Sequence, residues 1–98
     1  MLTSKQRAYL KSLAQSEKVT FQIGKDGLSD NMLTDVINYL NKHEIIKISV
    51  LQNSNVEPQD VISYFTVNNI EFVQHIGRVF VFYKHSDNAK NPIELPIK

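Results

Sequence analysis

Seven consecutive residues, Ile45-Ile46-Lys47-Ile48-Ser49-Val50-Leu51, are apolar at all but two positions and mostly β-branched, the pattern of a strand inside a sheet. Such a strand must be covered, and the flanking sequence supplies covers. Upstream, Met32, Leu33, Val36, Ile37 and Leu40 form a wide apolar helical stripe behind a capping Ser29 or Asp30. Downstream, Pro58 stands in the first turn of another helix, Val61, Ile62 and Phe65 face inward, and Asn68-Asn69 ends it. Val19 to Ile23 predicts a further strand. Glu71–Ile76 and Val79–Tyr83 predict two more, joined tightly at Gly77-Arg78 as an antiparallel hairpin. A first helix opens at Thr3-Ser4, where Thr3 and Gln6 have capping-box spacing, and gathers Leu2, Tyr9, Leu10, Leu13 and Ala14 on one side. The order α-β-α-β-α-β-β, with right-handed crossovers, predicts a compact single α/β domain with a four-stranded mixed sheet. The second and third helices share one face of that sheet; the pattern assigns no face to the first.

Composition narrows the class. A chain of 98 residues suits one domain with a real core. No apolar run approaches the roughly 18 residues of a membrane span. The start, Met1-Leu2-Thr3-Ser4-Lys5-Gln6, lacks the apolar stretch of a signal peptide, and the chain has no cysteine. A cytoplasmic protein without disulfides is the expectation. Beyond Ser86 the sequence turns polar, so residues 1–85 are expected to form the domain and 86–98 an extended tail.

Net charge is only +1, but it is unevenly placed. Residues 1–25 carry Lys5, Arg7, Lys11, Lys18 and Lys25 against Glu17, a net +4. Residues 26–74 carry seven acids against Lys42 and Lys47, a net −5, and residues 75–98 a net +2. An acidic middle argues against a protein that coats polyanions all round and leaves a one-sided basic face.

Chemistry-bearing residues point away from catalysis. His43, His75 and His85 lack metal-site spacing, and structural or surface roles fit each. Asp26, Asp30 and Asp35 surround a helix start, where acids stabilise the helix dipole. No Walker loop, nucleophile elbow or zinc-protease motif is present, so no enzyme, cofactor, metal or small-molecule substrate is expected. Phe72, Phe80 and Phe82 fall on one strand face and are expected in the core rather than as a base-stacking surface.

Gly24-Lys25-Asp26-Gly27 stands out between the strand at Val19–Ile23 and the helix at Ser29. Two glycines three apart are, alone, also what an ordinary turn looks like. In this setting they let backbone approach backbone, beside amides and a helix N-terminus that suit a phosphate. The KH fold clamps single-stranded nucleic acid with such a GxxG loop. Lys18 and Lys25 lie along the same stretch, Arg7 and Lys11 stand four apart on the first helix, and Arg78 sits in a second tight turn. Asp26 counts against phosphate contact.

Four segments make the chain resemble the bacterial YhbY-type family of stand-alone CRM (chloroplast RNA splicing and ribosome maturation) domains. They are Leu2–Leu10, Gln22–Leu28, Glu44–Ile48 and Val73–Val79, in order and at family spacing. The resemblance implies a fold related to the C-terminal domain of translation initiation factor three. It also implies binding of structured RNA and association with precursors of the large ribosomal subunit. By motif, Gly24, Lys25, Asp26 and Gly27 inherit the loop role, and Lys5, Arg7, Lys11 and Arg78 a supporting one. Asp26 replaces the asparagine frequent in the family. The resulting expectation is a non-enzymatic, monomeric protein that binds ribosomal RNA. The alternative is a protein-interaction module that docks its acidic middle on a ribosomal protein or an assembly GTPase.

Overall fold

The computed structural model describes residues 2–96; Met1 at the start, and Ile97 and Lys98 of the expected tail, lie outside the described residues. Seven elements follow the predicted order: α1 (Ser4–Ala14), β1 (Phe21–Ile23), α2 (Asp30–His43), β2 (Ile45–Val50), α3 (Pro58–Thr66), β3 (Glu71–Ile76) and β4 (Val79–Tyr83). The sheet runs β1-β2-β4-β3, with β1 and β2 parallel and both pairings of β4 antiparallel.

Local chemistry sets the boundaries. Thr3 and Gln6 close a reciprocal capping box on α1. Ser29, rather than Asp30, caps α2 by accepting from the Met32 N–H at 3.2 Å. Pro58 opens α3, where its missing N–H costs nothing. The first strand is shorter than the sequence suggests, starting at Phe21 instead of Val19. Thr20 still donates its N–H to Lys47 O at 2.9 Å, but the chain before it is crossing over from α1 on the other sheet face.

Strand alternation then builds two cores. Ile46, Ile48, Val50, Phe80 and Phe82 point to the face covered by α2 and α3, where Val36, Leu40, Val61 and Phe65 are buried. Phe80 and Phe82 are 1% and 0% exposed, core as expected, and Phe72 packs half-buried against the same cluster. On the opposite face Ile45, Val73, Val81 and Tyr83 meet Leu10 and Ala14, which places α1. Ile93 and Leu95 pack against this second cluster, so the segment after Ser86 lies on the domain.

Candidate nucleic-acid interface

The Gly24–Gly27 loop leaves the end of β1 as a tight turn closed by Gly27 N–H donating to Gly24 O at 3.1 Å. Lys25 and Asp26 are exposed at its tip, and the two glycines are half-buried. The glycines do different work. Gly27 has φ +69°, and a Cβ there would meet Val56 Cγ2 at 3.2 Å, so the backbone itself requires glycine. A Cβ on Gly24 would rest 3.7 Å from Leu51 Cδ1, an ordinary contact. What Gly24 leaves open is outer surface at the strand end. The loop delivers the chain to α2, whose positive end is partly balanced by Asp30 in its first turn.

Sheet register brings Arg78 to the same end of the molecule. Ile23 pairs with Val50, and Val50 donates its N–H to Arg78 O at 2.8 Å. The Gly24–Gly27 and Gly77–Arg78 turns therefore flank the end of β2, with Lys25 and Arg78 both exposed. Gly77 has φ +60° and open space around its Cα, so its role is conformational. On the α3 side, a groove floored by Val50, Val56 and Phe80 is lined by Arg78 and by Glu57, opposite charges on one rim.

The remaining cations are dispersed. Lys11 is exposed on α1 and lines a groove with Ile76 and Val79, close to the Gly77–Arg78 turn. Lys18 is exposed at the other end of β1 from the loop. Lys5 sits in the first turn of α1, next to Gln6, whose side chain reaches Pro96 O at the Tyr83 end of the sheet. Arg7 is half-buried, and its guanidinium donates to Phe72 O and reaches Val73 O at 3.5 Å. Those carbonyls flank a β-bulge, where β3 slips register between Phe72 and Gln74. Arg7 thus braces an edge strand, a role its sequence position beside Lys11 did not reveal.

Glu44 was also hidden in the sequence, where it counts among the acids of the middle segment. It is fully buried and accepts from Ser86 N and Ile93 N, with His85 Nδ1 3.0 Å away. The acidic surface is smaller by that carboxylate, and Asp30 is engaged by the Tyr64 hydroxyl at 3.4 Å.

Comparison with known proteins yields one consistent result. The CRS1 / YhbY (CRM) domain matches residues 2–84. The chain is 41% identical over 97 residues to the probable RNA-binding protein YqeI of Bacillus subtilis, covering 98% of this chain and 100% of that protein. It is 35% identical over 98 residues to an RNA-binding protein of Haemophilus influenzae, covering 99% and 97%. A mitochondrial CRS2-associated factor 1 of Oryza sativa is 29% identical over 97 residues, a match to 94% of this chain but only 23% of the plant protein. The solution structure of a Staphylococcus aureus hypothetical protein superposes with a TM-score of 0.78 at 39% identity, covering 98% and 100%.

Proposed function

This chain belongs to the CRS1 / YhbY (CRM) domain family, and on that premise we propose that it binds structured RNA through the Gly24–Gly27 turn and assists assembly of the large ribosomal subunit. The observation that carries the proposal is the convergence of two tight turns at one end of the sheet, with Lys25 and Arg78 exposed on them. A side chain at Gly24 would stand between that stretch of main chain and a phosphate. Without it, phosphate oxygens approach closely while the two cations neutralise them. Lys11 extends the basic surface past the second turn; Lys18 and Lys5 stand further off and add long-range attraction rather than phosphate contacts, and Arg7 supports from beneath. Asp26 opposes phosphate contact and tempers affinity.

Backbone grip of this kind reads shape rather than base sequence, which suits a factor that holds immature ribosomal RNA until later contacts replace it. The protein acts as a monomer in the cytoplasm and needs neither cofactor nor catalytic group. No helix among the described residues is long and apolar enough to cross a membrane.

The test is binding of large-subunit precursor RNA by the Gly24→Asp, Lys25→Glu double variant, alongside co-sedimentation of the protein with precursor particles. Affinity is expected to fall at least about tenfold while circular dichroism stays native. Undiminished binding by the variant, or cross-links that map to proteins at Asp35 and Glu57 instead of RNA at Lys25, would overturn the proposal.

A further inference from the structure

The face of the sheet that carries α1 is only partly covered. Ala14 ends the helix, and Lys47 fixes that end by donating from Nζ to Ala14 O at 3.1 Å and Glu17 O at 3.4 Å. Register shows which residues lie beyond. Lys47, Val81 and Gln74 form one row across β2, β4 and β3. The next row, Gln22, Ser49, Val79 and Ile76, spans all four strands; Gln22 and Ile76 at its ends are exposed, Ser49 and Val79 are half-buried, and Lys11 and Ala14 of α1 border it on one side. Ile76 is 64% exposed there, a large apolar side chain on an open floor. This last row abuts both turns of the proposed interface, since Gly24 is two residues beyond Gln22 and Gly77 follows Ile76.

We infer that this partly open strip seats one unpaired base of the bound RNA, an inference that rests on the RNA-binding function proposed above. The groove has an apolar floor of Val79, Val81 and Ile76, walled by Ala14 of α1, for the face of a base. The amides of Gln15 and Gln74 stand beside it, each able to donate and accept at a base edge. Among the described residues, Lys11 and Lys47 are its only charged lining groups, so its sign matches the phosphates on either side of such a base. The groove on the α3 side, with Glu57 beside Arg78, has no such match. A fully paired helix keeps its bases stacked and leaves the strip empty; a bulged or looped nucleotide reaches it.

The test uses the full chain with two RNA probes: a perfect duplex, and the same duplex carrying one bulged 2-aminopurine. The wild type is expected to bind the bulged probe about tenfold more tightly and to change its 2-aminopurine emission. Ile76→Ser, at an exposed position that leaves both cores intact, is expected to erase that preference without changing duplex affinity. A preference that survives Ile76→Ser, or no preference in the wild type, overturns the inference. If Gly24→Asp with Lys25→Glu weakens both probes while Ile76→Ser alters neither, RNA binding at the turns stands and the base seat falls. If the wild type binds no RNA, both fall. Analytical ultracentrifugation adds a further outcome: a dimer dispersed by Ile76→Ser assigns the strip to a second copy and also overturns the inference.

Discussion

The Glu44 carboxylate accepts the backbone N–H of Ile93 at 2.6 Å, tying the end of α2 to a residue 49 positions later. Glu44 occupies the left-handed C-cap of α2 with φ 65°, a position where glycine is the usual occupant. The backbone cost of a side chain there is about 1 kcal/mol. It is offset by charge-assisted bonds to Ile93 and Ser86, with His85 bridging the same carboxylate to Asp87. Glu44→Ala should therefore cost about 3 kcal/mol, because one buried and one half-buried N–H group lose their acceptor. Thermal unfolding measures the loss, and amide exchange at Ile93 should accelerate with it. A melting temperature equal to that of the wild type would show that the segment after Ser86 is held without the carboxylate, by the packing of Ile93 and Leu95 and by the Gln6 bond to Pro96 O.

The same carboxylate shapes the response to alkali. Burial, and then the nearby charge of Glu44, raises the Tyr83 phenol above its ordinary value of 10.0. The folded state thus holds this proton more tightly than the unfolded state does. The stabilisation is complete below pH 10 and is lost as pH rises through the folded value. Tyr64, raised by burial and by Asp30, acts in the same direction. Urea unfolding at about pH 8 and about pH 11 should show a steep decline that Tyr83→Phe makes shallower. Equal declines in the two proteins would remove Tyr83 from the explanation.

Gly24 and Gly27 are alike in the motif and unlike in the fold. Gly27→Ala forces a Cβ into the left-handed region and against Val56, at a cost of about 1–2 kcal/mol, or roughly 4–8 °C per kcal/mol in a domain of this size. Gly24→Ala meets only an ordinary contact with Leu51 and should melt close to the wild type. Calorimetry of the two single variants checks this. Equal destabilisation would mean that Gly24 is also held by the fold.

The strand and helix order was legible because each element carries its own period, and the caps at Thr3 and Ser29 and the first-turn Pro58 mark starts by local chemistry. The loop was legible for the same reason, since Gly27 answers to a backbone angle set within a few residues. What the sequence concealed depends on long-range partners. Arg7 looks like Lys11 until the bulge at Val73 presents carbonyls to it. Glu44 looks like Asp35 until the chain returns 49 residues later. The face chosen by α1, and with it the partly open row ending at Ile76, follows from a second apolar cluster to which β2, β3 and β4 all contribute. Charge counting along the chain placed Lys5, Lys11, Lys18 and Lys25 together; the fold spreads them over different ends and faces.

That spread makes the cations separable in a salt titration. Each lysine or arginine that neutralises a phosphate contributes about one to the slope of log affinity against log salt. Lys25 and Arg78 sit on the two converging turns, so Lys25→Ala and Arg78→Ala should each lower the slope by about 1. Lys5 stands in the first turn of α1, toward the Tyr83 end of the sheet, and Lys5→Ala should leave the slope within error of the wild type. Arg7→Ala is expected to behave differently again: lower thermal stability from the unbraced bulge, with little change in slope. Anisotropy titrations of a fluorescent precursor RNA at several salt concentrations distinguish these cases. A slope that falls with Lys5 and holds with Lys25 would move the interface from the turns to the start of α1.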